Sequence, residues 1–142
     1  MDADRAFEAE RVVRVANDAD VVAAREAARA LAVEVGFRGT DLVLIATAIS
    51  ELARNILVYA RTGEVRLSVV TSAHRRGVRV VAADEGPGIA DIELAMQDGY
   101  TSGRGLGVGL PGARRLMDDF EIDSGPGRGT RVTVVKWLGR NA

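Results

Sequence analysis

Thr47-Ala48-Ile49-Ser50-Glu51-Leu52-Ala53-Arg54-Asn55-Ile56 lies inside the most regular stretch of the chain. Leu42, Ile45, Ala46, Ile49, Leu52, Ala53 and Ile56 recur at the spacing of one helical face, which predicts a helix capped by Thr40 or Asp41 and running to about Ala60. Such a stripe has to be buried against another layer. Residues 10–16, 64–70, 78–83, 120–123 and 130–137 are rich in β-branched side chains and read as strands. The polar stretch 71–77 turns the second strand into the third, and Ser124-Gly125-Pro126-Gly127-Arg128-Gly129 turns the fourth into the fifth. Further helices are predicted over 20–35, with Asn17 or Asp18 as cap and Gly36 as stop, over 90–97, and from Pro111 to about 118. Pro111 suits a first turn because its missing N–H is not needed there. Hairpins with helices gathered on one side give an α+β fold, a two-layer α/β sandwich with a mixed, mostly antiparallel sheet.

Composition narrows the chemistry. The 142 residues suit a single domain over 1–142, large enough to bury about 68–70% of the surface of its unfolded chain without staples. There is no cysteine and one histidine, His74, which excludes thiolate zinc sites, cysteine nucleophiles and histidine-based metal centres. With 19 Lys+Arg against 20 Asp+Glu the net charge is −1, so no global field draws in nucleic acid. No apolar run approaches the roughly 18 residues of a membrane span, and the charged first ten residues lack the apolar core of a secretory signal, so a cytoplasmic location is expected. The single lysine, Lys136, stands between Val135 and Trp137, which excludes a Walker A loop and the strand lysine of eukaryotic-type protein kinases.

Three clusters carry chemistry. Glu51 lies roughly 160° round the long helix from Ile49, and Asn55 lies roughly 40° from Glu51, so the two share a face away from the core. A carboxylate and an amide one turn apart can hold a hydrated Mg²⁺ or orient a hydroxyl; they can equally be a solvated pair. Asp84-Glu85-Gly86-Pro87-Gly88-Ile89 leaves the third strand. There an Asp can accept a hydrogen bond from an exocyclic amine while Gly86 and Gly88 admit a flat base, or the stretch is an ordinary turn. The glycines from Gly103 to Gly109, ahead of the Pro111 helix, suit phosphates, because free amides and the helix dipole both favour anions, or they form a mobile surface loop. Residues 107–112 match G-x-G-x-x-G, but no hydrophobic strand precedes them, so the dinucleotide-binding reading fails its context test.

In order and separation, Glu51-Leu52-Ala53-Arg54-Asn55, Asp84-x-Gly86-x-Gly88-Ile89, Gly105-Leu106-Gly107-Val108-Gly109-Leu110 and Gly127-Arg128-Gly129-Thr130 resemble the four nucleotide-binding boxes of the GHKL (Bergerat-fold) ATP-binding superfamily. The resemblance runs from about Val12 to Trp137. Residues 47–56, 86–89, 107–112 and 115–118 are most similar to the anti-sigma-factor-type serine/threonine kinases, and within them to the RsbT-type switch kinases of the stressosome. The resemblance implies a fold with helices on one sheet face and a serine/threonine kinase that uses ATP and Mg²⁺. Glu51 would be the general base and Asn55 the Mg²⁺ ligand. Asp84 would read the adenine amino group, with Gly86 and Gly88 lining the pocket and Thr130 assisting. Gly105, Gly107 and Gly109 would give amides to the phosphates, and Arg104 would neutralise γ-phosphate charge.

The same resemblance implies partners: STAS-domain proteins as substrates and a PP2C-type phosphatase or another output protein bound on release, with neither nucleic acid nor membrane. The short glycine loop implies weak nucleotide retention. A non-catalytic ATP-sensing module is the alternative reading, against which an intact Glu51 argues. A histidine-kinase catalytic domain would need a dimerisation helix bearing a phosphoacceptor histidine, whereas His74 reads as part of a hairpin turn.

Overall fold

The computed structural model describes residues 5–97 and 109–139. Its elements are β1 (Ala6–Val15), α1 (Asp18–Val35), α2 (Thr40–Tyr59), β2 (Gly63–Ser72), β3 (Arg75–Asp84), α3 (Ile92–Ala95), α4 (Gly109–Leu116), β4 (Asp119–Ser124) and β5 (Thr130–Trp137). The strands form one sheet in the order β1-β2-β3-β5-β4, and every neighbouring pair is antiparallel. The sheet is therefore wholly antiparallel among the described residues, where a mixed one was expected. After β3 the chain passes through α3 and α4 and re-enters the sheet at its far edge as β4, so the β4–β5 hairpin lays β5 against β3 in reverse.

Strand alternation sorts the side chains into two layers. Val65, Leu67 and Val69 of β2, Val78, Val80 and Ala82 of β3, and Val132 and Val134 of β5 join one core with Ala24, Ala28 and Leu31 of α1 and Ile45, Ile49, Leu52 and Ile56 of α2. The opposite face carries a small second cluster of Val70, Val135 and Trp137. Arginines stack on it: Arg75 lies 3.9 Å from the Trp137 ring centre and Arg79 4.6 Å from that of Phe7. Partial burial, with the Arg131 and Arg5 cations nearby, lowers the Arg79 guanidinium from its ordinary value.

The helix boundaries follow local chemistry with corrections at α2, at α3 and at α4, which spans Gly109–Leu116 where a helix from Pro111 to about 118 was expected. Asn17 caps α1 by accepting the Asp20 N–H at 3.0 Å, and Gly36, at φ 122°, closes it by donating to Ala32 and Val33. Neither Thr40 nor Asp41 caps α2. Gly39 is the N-cap, without any side-chain bond, because Thr40 is already the first helical residue. The β2–β3 ladder also runs past its valines, down to Ser72 opposite Arg75, leaving a turn at Ala73 and His74. Backbone pairing does not require apolar side chains, so sequence pattern undercounts strand ends. β1 likewise begins at Ala6, across an irregularity between Glu8 and Arg11 where Ala9 takes φ 60°. α3 is shorter than the helix expected over 90–97.

By length and mean hydropathy, 1.6, α2 meets the criterion for a membrane-crossing helix, which corrects the expectation that nothing in the chain comes close. Its apolar side is spent on the sheet: seven of its residues are buried there and against its helical neighbours.

α4 is fastened to the sheet by the only lysine. Lys136 Nζ donates to the Leu116 carbonyl at 3.1 Å and lies 3.7 Å from Asp118 Oδ1, with its side chain 13% exposed. It satisfies a carbonyl at the negative end of the helix. Lys136→Met should lower the unfolding free energy by about 1–2 kcal/mol, the cost of stranding that carbonyl, read as a lower urea midpoint at unchanged slope.

Candidate functional site

Burial of the Ile45–Ile49–Leu52–Ile56 stripe turns the polar side of α2 toward α4. Glu51 sits there with its side chain 14% exposed. Its Oε2 accepts from Arg54 Nη1 at 3.3 Å, one turn on, and its Oε1 accepts from the Gly109 N–H, also at 3.3 Å. Gly109 opens α4, so the carboxylate occupies the positive end of that helix, the place an external anion would take.

One turn beyond Glu51, Asn55 lines a cavity of about 380 Å³ with Tyr59 from the same helix, Gly88 and Ile89 from the turn after β3, Leu94 from α3, and Gly109 to Pro111 of α4. Its walls are mainly apolar with a few polar groups, the usual make-up of a small-molecule site.

The strand-end turns form the neighbouring wall. Asp84 pairs with Gly63 on one side and Thr130 on the other. A Cβ at Gly63 would meet Ile56 at 2.8 Å and the Asp84 Cβ at 3.1 Å, so Asp84 leaves the sheet on the side of α2. Its Oδ1 accepts the Gly86 N–H at 2.9 Å. Gly86 lies so close beneath α2 that a Cβ would stand 2.6 Å from that of Ala60. The 84–89 and 124–129 turns are zipped together: Gly127 N–H donates to the Pro87 carbonyl at 2.7 Å and Ile89 N–H to Ser124 Oγ at 2.8 Å. Gly88, at φ 81°, leaves no room for a side chain, since its Cβ would collide with the Gly125 carbonyl oxygen.

The structure thus brings Glu51, Asn55, Gly88 and Gly109 together around α2 and the start of α4. Asp84 and Thr130 stand side by side at the strand ends and line a second, polar hollow of about 550 Å³ with Gly63, Glu85 and Arg131. That hollow is larger, yet it holds neither Glu51 nor Asn55, and we take the smaller cavity as the site because Asn55 lines it together with Gly109, whose N–H donates to Glu51. Arg104, Gly105 and Gly107 lie outside the described residues. Three contributors escaped sequence reasoning. Arg54 was visible as the i+3 neighbour of Glu51, and Tyr59 as the next turn beyond Asn55. Ser124 read only as the first residue of a turn, because its pairing with Thr130 is a matter of strand register.

Comparison with known proteins shows the family and the fold. Residues 15–136 match the histidine kinase-like ATPase domain. The chain is 47% identical over 126 residues to the serine/threonine-protein kinase RsbT of Bacillus subtilis (strain 168), covering 89% of this chain and 95% of that protein. It is 30% identical over 122 residues to the anti-sigma F factor of Caldanaerobacter subterraneus subsp. tengcongensis, covering 83% of this chain and 85% of that protein. Among solved structures, that of the RsbU and RsbW domains of Rv1364c from Mycobacterium tuberculosis superposes with a TM-score of 0.63 at 19% identity. That match covers 91% of this chain and 32% of the other, and shows a shared fold.

The two turn glycines give a paired stability test. Gly127 also has positive φ, 76°, but nothing lies within 4 Å of where its Cβ would be. Gly127→Ala should cost about 1–2 kcal/mol from backbone conformation alone. Gly88→Ala should cost more, because a backbone oxygen must also move, and thermal unfolding of the two variants side by side measures the difference.

Proposed function

The chain belongs to the histidine kinase-like ATPase domain family and is a serine/threonine kinase, and from that premise we propose how its own residues carry out phosphoryl transfer and on what. Glu51 is the general base, accepting the proton of the attacking hydroxyl. Asn55 contributes its amide oxygen beside the nucleotide phosphates, Gly109 contributes its N–H to them, and Asp84 accepts a hydrogen bond from the adenine amino group. Gly86 and Gly88 let the base lie against backbone, and Thr130 assists Asp84. Arg104, Gly105 and Gly107 complete the phosphate contacts in this reading.

The observation that carries it is the position of Glu51. Its carboxylate occupies the α4 N-terminus through the Gly109 N–H, 3.3 Å away, while Asn55 one turn on opens into the cavity. Phosphate oxygens competing for the Gly109 N–H release that carboxylate oxygen toward the incoming hydroxyl. Phosphoryl transfer asks little covalent chemistry of a protein, so a positioned base, oriented amides and a dry cavity are what it must supply.

The donor set fits Mg²⁺. Among the described residues there is no cluster of three or more His, Cys, Asp or Glu, so no all-protein cage exists. Mg²⁺ commonly takes only one or two protein oxygens and completes its octahedron with waters and phosphates, which Asn55 can serve. When bound it neutralises charge on the phosphates.

Likeness to RsbT and to anti-sigma F factors supports a place in a partner switch, where kinase activity and protein binding alternate. In our reading the acceptors are Ser or Thr residues of cytoplasmic STAS-domain proteins, and the released kinase binds and activates a PP2C-type phosphatase or another output protein. Incubation with labelled ATP and a STAS-domain partner tests this: label on Ser or Thr supports the reading, and tight nucleotide binding without transfer supports the sensor alternative.

Two substitutions separate the roles. Glu51→Gln should retain ATP affinity and lose about 10²- to 10⁴-fold in transfer rate, measured under single-turnover conditions. Asp84→Asn should weaken ATP binding by calorimetry with an unchanged circular-dichroism spectrum; unaltered affinity would remove Asp84 from the pocket.

A further inference from the structure

Ser124 is a buried hydroxyl, 9% exposed, with three hydrogen-bonding partners within 2.8 Å. It accepts from the Ile89 N–H, it donates to the Gly129 carbonyl, and it meets Thr130 Oγ1. A hydroxyl has one proton. The Gly129 carbonyl can only accept, so that proton is committed to it; turned toward Thr130, it would leave two bare oxygens 2.8 Å apart at Gly129. The Thr130 hydroxyl must therefore be the donor in the Ser124–Thr130 bond. Its proton is used up inside the protein, and all that Thr130 can offer a ligand is lone pairs. Beside it stands Asp84, whose carboxylate also only accepts.

We propose that Ser124 is a positioning residue that sets base selectivity: by fixing the direction of the Thr130 hydroxyl, it makes the Asp84–Thr130 pair an acceptor-only edge. Such an edge, set against the C6 position, matches an amino group there, which offers it two N–H donors, and opposes a carbonyl there, which offers none. The inference rests on the reading of Asp84 as the base-binding residue. The Ile89 N–H bond extends the device, because it ties the cavity-lining turn to the same hydroxyl and keeps Ser124 from rotating.

The test compares ATP with ITP, whose base carries a carbonyl in place of the amino group, by equilibrium binding to the full chain. Wild type should prefer ATP. Ser124→Ala frees the Thr130 proton to turn toward a carbonyl, and should lower the ATP-to-ITP affinity ratio by about tenfold, the worth of one hydrogen bond of favourable sign. Ser124→Thr keeps a hydroxyl and should restore the ratio, an outcome that a purely structural role for position 124 would not produce. Should Ser124→Ala fail to fold, Ser124→Cys, nearly isosteric but a poor hydrogen-bonding group, must still lower the ratio. A wild type that ignores the C6 substituent overturns the base-binding reading itself. A wild type that prefers ATP, with folded Ser124→Ala or Ser124→Cys keeping the same preference, overturns the role of Ser124 and leaves Asp84 in place.

Discussion

One helix, pressed by its apolar stripe onto an antiparallel sheet, sets the positions of Glu51 and Asn55. Ile45, Ile49, Leu52 and Ile56 are each at most 2% exposed, and the rotation of α2 about its own axis is fixed by their burial. Rolling the helix by a single residue, about 100°, would drive Glu51 or Asn55 toward the core, where an unpaired polar group costs several kcal/mol. Because that is prohibited, the carboxylate is held toward α4 and the amide toward the cavity. The core therefore does the orienting, and the site inherits its rigidity.

The second wall of the site is built differently. The turns after β3 and after β4 carry little apolar surface, and they are held by backbone contacts in which glycines are indispensable: Gly86 beneath Ala60, Gly88 against Gly125. Ser124 links three of the strands of contact at this point, joining Ile89, Gly129 and Thr130 through a single oxygen. A helix held by hydrophobic burial faces turns held by directed hydrogen bonds. The cavity lies at that junction. The first kind of support resists large displacement, whereas the second dictates which atoms point at a ligand.

Charge is distributed with the same economy. Arginines on the sheet face opposite the helices stack on Phe7 and Trp137. Close to the Glu51 carboxylate the described cation is Arg54, and the other favourable partner is the N-terminus of α4, a dipole rather than a charge.

Much of this was legible in the residues. The 3.6-residue recurrence through 42–56 located α2 and placed Glu51 and Asn55 on its polar side, because helical geometry depends only on the chain's own spacing. β-branched runs found all five strands, and the lack of a hydrophobic strand ahead of residues 107–112 argued against a dinucleotide-binding fold. Strand ends, the Gly39 cap and the wholly antiparallel pairing were not legible, since backbone hydrogen bonds ignore side-chain pattern. Neither was the contact of Glu51 with Gly109, 58 residues away, nor the triple role of Ser124. Local periodicity is written in sequence because each residue meets its near neighbours in a fixed geometry. Which distant groups meet, and which way a hydroxyl proton points when they do, is settled only when packing brings their partners within hydrogen-bonding distance.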